Sequence, residues 1–108
     1  MSDNRIPTHF WVGAFIRNCL LKSIPVTVIR KGEKLGGTVL IKLYQSIDTC
    51  RVMAQTRNSE HCIEWYPIHK QETVDEQKAS SLIDRSVSRD PDLWVIEVES
   101  LDTELPFE

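Results

Sequence analysis

The stretch that most constrains the fold of this 108-residue chain lies near its end: Asp90-Pro91-Asp92 followed by Leu93-Trp94-Val95-Ile96-Glu97-Val98-Glu99. A residue before proline is disfavoured in the helical region, so Asp90-Pro91 stops whatever helix precedes it. Asp92 can then open a turn through its own side chain. Behind the turn stands a short β-branched and aromatic run, which reads as a strand. Period two places Trp94, Ile96 and Val98 on one face and Leu93, Val95, Glu97 and Glu99 on the other, with the two glutamates wetted. The four carboxylates therefore have two readings. They are punctuation and a solvated face, or they are a cluster capable of acid–base chemistry.

The same logic runs along the rest of the chain. Pro7 to Ser23 predicts a helix, opened by Pro7-Thr8 and closed ahead of Pro25. At 100° per residue, Val12, Phe15, Ile16, Cys19 and Leu20 share a broad apolar face, while Phe10, Ala14 and Leu21 form a second strip with Arg17 beside it. A helix apolar on nearly two sides is either deeply buried or shared with a partner. Pro25–Arg30, Thr38–Gln45, Cys50–Gln55 and His61–Tyr66 predict four strands with short connections, the arrangement of an antiparallel meander. Lys31 to Gly37 is a glycine-rich loop between the first two. Thr73-Val74-Asp75-Glu76 reads as a capping box that opens a second helix running to about Ser88. The fold class is α+β, in the order αββββαβ: an antiparallel sheet of four to five strands with two helices. Residues 8–100 form a single domain and 101–108 a loose C-terminal tail.

Composition excludes several classes. No apolar run approaches the length of a membrane span, and the N-terminus lacks a secretory design. Three cysteines, Cys19, Cys50 and Cys62, in an odd count without C-x-x-C spacing point to free thiols in a reducing cytoplasm. Residues 1–57 carry nine Lys/Arg against three Asp/Glu, and residues 58–108 carry four against thirteen, giving +6 and −9. Such asymmetry either marks a basic binding face or means that the two halves attract one another within one fold, and the dispersal of the basic residues favours the second. Nucleic-acid binding is disfavoured by the net charge of −3. The loop Arg30-Lys31-Gly32-Glu33-Lys34-Leu35-Gly36-Gly37 lacks the G-K-[ST] of a phosphate cradle and leads into a strand. His9, His61 and His69 show no ligand spacing, so neither a metal nor another cofactor is expected. His61 and Cys62 point to opposite faces of a strand, and no serine sits in a G-x-S-x-G setting. Trp11, Trp65 and Trp94 are expected in or near the core.

These residues also carry a resemblance. Arg17 in the first helix, Val26–Val28, Arg30 with Gly32, Gly37 leading Val39–Lys42, the lone Trp65, and Asp90-Pro91-Asp92-Leu93-Trp94-x-x-Glu97-x-Glu99 occur in the order seen in a bacterial domain-of-unknown-function family, DUF1491, which this chain resembles over roughly residues 10 to 100. It departs from the family pattern at Asn18, where a second arginine is expected, at Ser23 for a helix-ending glycine, and at Glu33 for an aspartate. The resemblance implies a bacterial cytoplasmic protein and supplies no mechanism.

The function expected from these observations is a small cytoplasmic binding or interaction module without catalysis, homodimeric through the first helix or engaging another protein. Arg17, Arg30, Lys42, Trp65 and Trp94 are the candidate binding residues. The alternative is a small carboxylate-dependent hydrolase, metal-assisted or not. In that reading Asp90, Asp92 and Glu97 act on an anionic substrate held by Arg30 or Lys42. The two readings differ in geometry: the enzyme needs those groups in one cleft.

Overall fold

In a computed structural model of the chain, residues 6–57, 59–60 and 63–99 are described. Seven elements follow one another: α1 (Thr8–Leu21), β1 (Val26–Arg30), β2 (Val39–Ser46), β3 (Thr49–Arg57), β4 (Ile63–Pro67), α2 (Glu76–Arg89) and β5 (Trp94–Glu99). The α+β class and the order αββββαβ match the expectation. The strand predicted from His61 begins at Ile63, and His61 and Cys62 lie outside the described residues, as does the tail 101–108.

The five strands form one sheet in the order β1-β5-β2-β3-β4. Strands β2, β3 and β4 make the expected antiparallel meander. The last strand does not join its edge. Helix α2 carries the chain back across the sheet, and β5 enters between β1 and β2, antiparallel to β1 and parallel to β2. The sheet is therefore mixed, which corrects the purely antiparallel arrangement predicted from the short connections. The physical reason lies in the side chains of β5. A strand with apolar residues on both faces belongs at the centre of a sheet covered on both sides.

Burial shows the consequence. Trp94, Ile96 and Val98 pack with Val39, Ile41, Leu43 and Met53 beneath Val12, Phe15 and Cys19 of α1. Leu93 and Val95 pack with Leu40, Val52 and Val74 beneath Ala79 of α2. The face of β5 that was expected to be wetted is thus covered by α2 over Leu93 and Val95. Only Glu99 at its end is exposed, and Glu97 is half-buried. The edge strands β1 and β4 alternate between half-buried and exposed positions, as strands covered on one face do.

The start of β5 is locked to the loop between β1 and β2. Glu33 N–H donates to the Asp92 carbonyl at 2.9 Å, and the Trp94 indole Nε1–H donates to the Glu33 carbonyl at 2.8 Å. A Cβ on Gly32 would stand 2.1 Å from the Asp92 carbonyl oxygen, and one on Gly37 2.4 Å from the same atom. Only glycine permits this approach of two backbones. The loop also holds the helix: Thr8 N–H and His9 N–H donate to the Leu35 and Lys34 carbonyls, and Thr8 Oγ1–H donates to the Gly37 carbonyl at 2.7 Å. These bonds satisfy orphan donors at the N-terminus of α1, where Pro7 offers no side-chain cap. Glu33 closes the loop on itself by accepting from Gly36 and Leu35 N–H, and these hydrogen bonds hold its carboxyl below the ordinary glutamate value.

Helix α1 ends in a Schellman arrangement. Ile24 N–H donates to the Cys19 carbonyl and Ser23 N–H to the Leu20 carbonyl, with Ser23 at a φ of 60°. Helix α2 starts at Glu76 with Asp75 as its cap, the Asp75 carboxylate accepting from Lys78 N–H at 2.7 Å. The capping box predicted on Thr73 is corrected here. Val74 still pairs with Cys50 through two backbone hydrogen bonds, so the chain stays extended at 74 and cannot turn into a helix before Asp75.

Two predictions follow from the backbone. Gly32→Ala should destabilise the fold by about 1–3 kcal/mol through forced overpacking. Gly36→Ala, whose added Cβ would have its nearest neighbour at 3.8 Å, should be neutral in the same urea titration. Ser23→Gly relieves the left-handed strain of an L-residue and should add about 1 kcal/mol, read as a raised urea midpoint at unchanged slope.

Candidate functional site

The acidic residues around Pro91 are built into the junction just described. Asp90 follows the last turn of α2, its N–H donating to the Ser86 carbonyl. One carboxylate oxygen of Asp90 accepts from Asp92 N–H at 3.1 Å, and the other accepts from the Thr38 hydroxyl at 3.2 Å. Arg30 reaches over from β1 and donates to the Pro91 carbonyl at 2.7 Å. Its Nε is buried with no hydrogen-bond partner among the described residues. Each of these contacts joins one backbone segment to another. The chemistry that Asp90 supplies here is that of a turn and a cross-link to β2.

Glu97 lies elsewhere. Five residues separate it from Asp92, roughly 16 Å at about 3.3 Å per residue of strand. It faces α2 and pairs in register with Lys42 of β2. The Lys42 ammonium donates to Glu76 at 3.0 Å and stands 3.7 Å from Glu97 and 5.5 Å from the Tyr44 ring centroid. Lys42 is buried, with 9 % of its side chain accessible. Burial by itself would lower the pKa of Lys42. The hydrogen bond to Glu76 and the charges of Glu97 and Glu76 outweigh it and hold the ammonium above the ordinary lysine value. Burial, together with the same two carboxylates, raises the neighbouring Cys50 thiol against the pull of Lys42. Cys50 donates weakly to the Ser46 carbonyl and stays a protonated thiol. The cluster is a charge-paired lysine between sheet and helix, and it lacks an activated nucleophile.

The remaining sequence-predicted residues are scattered. Trp94 is buried in the core under α1, with its indole N–H used by the loop. Trp65 of β4 packs on the same core, its ring 5.7 Å from that of Trp11. Arg17 is exposed on the outer side of α1. Asp90, Asp92 and Arg30 thus meet at one end of β5, Glu97 and Lys42 meet near its other end, and the two groups do not share a cleft. Among the described residues no three His, Cys, Asp or Glu side chains gather where a metal ion could sit. His69, buried at the end of the meander, accepts from Val52 N–H through Nε2 and faces the Gln71 carbonyl through Nδ1, which fits the neutral Nδ1–H tautomer and a structural role.

Two surfaces stand out: the second apolar strip of α1, which the sequence marks, and a groove that it does not. On α1, Phe10, Leu20 and Leu21 are 61, 64 and 76 % exposed, and Gly13, Ala14 and Arg17 lie exposed between them. Leu20 had been assigned to the inward face; the chain turns out of the helix just beyond it, and Ile24 fills the place over the core instead. On the opposite side, a groove of about 470 Å³ runs between the C-terminal half of α2 and strands β2 to β4. Its helix wall carries Leu82, Arg85 and Arg89, and its floor is Leu40, Ala54 and Leu93. Nothing in the spacing of Arg85 and Arg89 marks them in sequence, because a one-turn pair of arginines is common on a solvated helix face.

Fold and site together define a two-helix, five-stranded α+β protein with a mixed sheet. The chain belongs to the DUF1491 family, a family of proteins of unknown function, which matches residues 6–108. A DUF1491 family protein from Caulobacter crescentus CB15 in a crystal structure is 28 % identical, with a TM-score of 0.81 over 95 % of each chain. The NMR structure of a DUF1491 family protein from the same organism gives 28 % identity and a TM-score of 0.79 over 94 % of this chain and 91 % of that one. The solution structure of protein Atu0922 from A. tumefaciens shares the fold at 18 % identity and a TM-score of 0.78, over 94 % of this chain and 92 % of that one. No curated protein matches the chain. No helix among the described residues is long and apolar enough to cross a membrane.

Lys42→Met should cost about 1–3 kcal/mol, since Glu97 then loses its cation while Glu76, more exposed, rehydrates. Adding Glu97→Leu should recover most of that loss, because a buried pair replaced by apolar residues is often close to neutral. The raised folded-state value means that the lysine contributes its stability below the unfolded-state value and loses it as pH rises through the folded one. Urea titrations from neutral to strongly alkaline pH should therefore show a decline in the native chain that Lys42→Met flattens.

Proposed function

We propose that this protein is a small cytoplasmic interaction module that acts without catalysis and pairs with a second copy of itself through the outer face of α1. The observation that carries the reading is the exposed stripe Phe10, Gly13, Ala14, Arg17, Leu20 and Leu21. These positions recur at intervals of three and four, which is the seam of a helix–helix contact. Large apolar residues stand at both ends and small ones near the middle. A Cβ added to Gly13 would meet nothing within 4 Å, so that point is open to a neighbour.

A two-fold axis near the middle of α1 suits this distribution. In an antiparallel pair centred near residue 15, Phe10 of one copy faces Leu20 and Leu21 of the other, and the small residues Gly13 and Ala14 face Arg17, which leaves room for its long side chain. The Arg17 stem can lie along the seam while its guanidinium stays in water. A pair of short helices buries on the order of 1,000 Å² in total, at the low end of specific interfaces, where weak and reversible associations sit. The cytoplasmic assignment rests on Cys19 and Cys50, both free and buried as small hydrophobes.

Sedimentation equilibrium should return a reversible dimer at tens of micromolar. Phe10→Glu or Leu21→Glu should give a monomer with an unchanged melting temperature. A strict monomer at 200 µM would remove the self-pairing reading.

A further inference from the structure

We propose that the groove between α2 and the sheet binds a small organic anion, a carboxylate or phosphate monoester carried on an apolar body, with Arg85 and Arg89 holding the charged head. The site lies on the opposite side of the sheet from α1 and does not depend on self-pairing.

The charge pattern is the first support. Arg85 and Arg89 are one turn apart and both line the groove. Like charges at this spacing repel. No acidic residue stands three or four positions away from either within α2, and among the described residues no carboxylate bonds to either guanidinium. Asp90 is the one acid on the groove wall; each of its oxygens accepts one hydrogen bond, from the Thr38 hydroxyl and from Asp92 N–H, and neither is paired with Arg85 or Arg89. The last turn of α2 contributes a partial negative charge of about half a unit, which two guanidinium groups exceed. What is left, among the described residues, is a pair of forked donors without an ion-pair partner, the geometry that suits a carboxylate or phosphate.

The shape is the second support. A volume of about 470 Å³ falls within the range of about 300–1,000 Å³ typical of small-molecule sites. The floor of Leu40, Ala54 and Leu93 is apolar and would leave a bare inorganic anion poorly matched. Ala54 keeps the floor low where α2 passes over it. Tyr66, 48 % exposed, stands at the rim beside Gln55 and can flank a flat ring.

The test uses the full chain and three probes: phenyl phosphate, inorganic phosphate as head alone, and phenol as body alone. Calorimetric titration should show phenyl phosphate binding at least tenfold tighter than either fragment and weakening as salt rises from 50 to 300 mM. Arg85→Gln combined with Arg89→Gln should weaken phenyl phosphate at least tenfold, while Lys22→Gln, an exposed cation at the end of α1, leaves it unchanged. Ala54→Leu fills the floor without touching either arginine and should abolish binding, which keeps the test decisive if the double variant folds poorly. Absence of saturation at millimolar phenyl phosphate, equal affinity for phenol or for inorganic phosphate, or full affinity in Ala54→Leu would each overturn the proposal.

Discussion

The insertion of β5 between β1 and β2 is the constraint from which the rest of the structure follows. A late strand with apolar residues on both faces cannot rest at an edge, so it must enter the sheet, and entry demands a place where its leading backbone can pass. That place is the loop from Lys31 to Gly37. Gly32 and Gly37 let the Asp92 carbonyl come within a distance no side chain would tolerate, and the Trp94 indole then ties back to Glu33. The same loop supplies the carbonyls that cap α1. One crossing of backbone segments thus fixes the sheet order, seats the first helix and buries the tryptophan.

This accounts for the residues by which the family is recognisable in the chain. Arg30, Gly32, Gly37 and the Asp90–Trp94 segment look like a reactive cluster on the page, because acids, a base and glycines are what phosphate and metal sites also use. In space they are a seam between two backbone segments. Arg30 bonds a carbonyl and not a carboxylate, and Asp90 bonds a hydroxyl and an amide. The charge pairing of Lys42 with Glu76 and Glu97 belongs to a different place, where α2 lies over the sheet.

The two faces of the sheet consequently have different characters. On one, α1 buries Val12, Phe15 and Cys19 and turns a largely apolar back to solvent. On the other, α2 is seated tightly at Ala79 but leaves a lined hollow beneath its C-terminal half. The interior is committed to holding five strands between two helices, and the surfaces proposed above for recognition are accordingly the outer helix face and the groove. The α1 face stands apart from the junction that defines the fold, whereas the groove shares Thr38 and Asp90 with it.

Local chemistry determined a good deal without any tertiary context. Pro7 and Pro25 bounded α1, β-branched runs marked the strands, and Asp90-Pro91 ended α2 where the structure ends it. The departure at Ser23 was already visible as a serine where the family has a glycine, and the structure shows it in a left-handed conformation. What the sequence could not contain was pairing between distant segments. Whether the Leu93–Val98 run was an edge or a centre, whether Val74 stayed extended against Cys50, and whether Leu20 faced in or out all depended on which backbones met across the fold. Periodicity assigns residues to faces of their own element, and only the assembled layers decide which of those faces is covered. Arg85 and Arg89 became notable for the same reason, because the space beside them exists only once α2 has crossed the sheet.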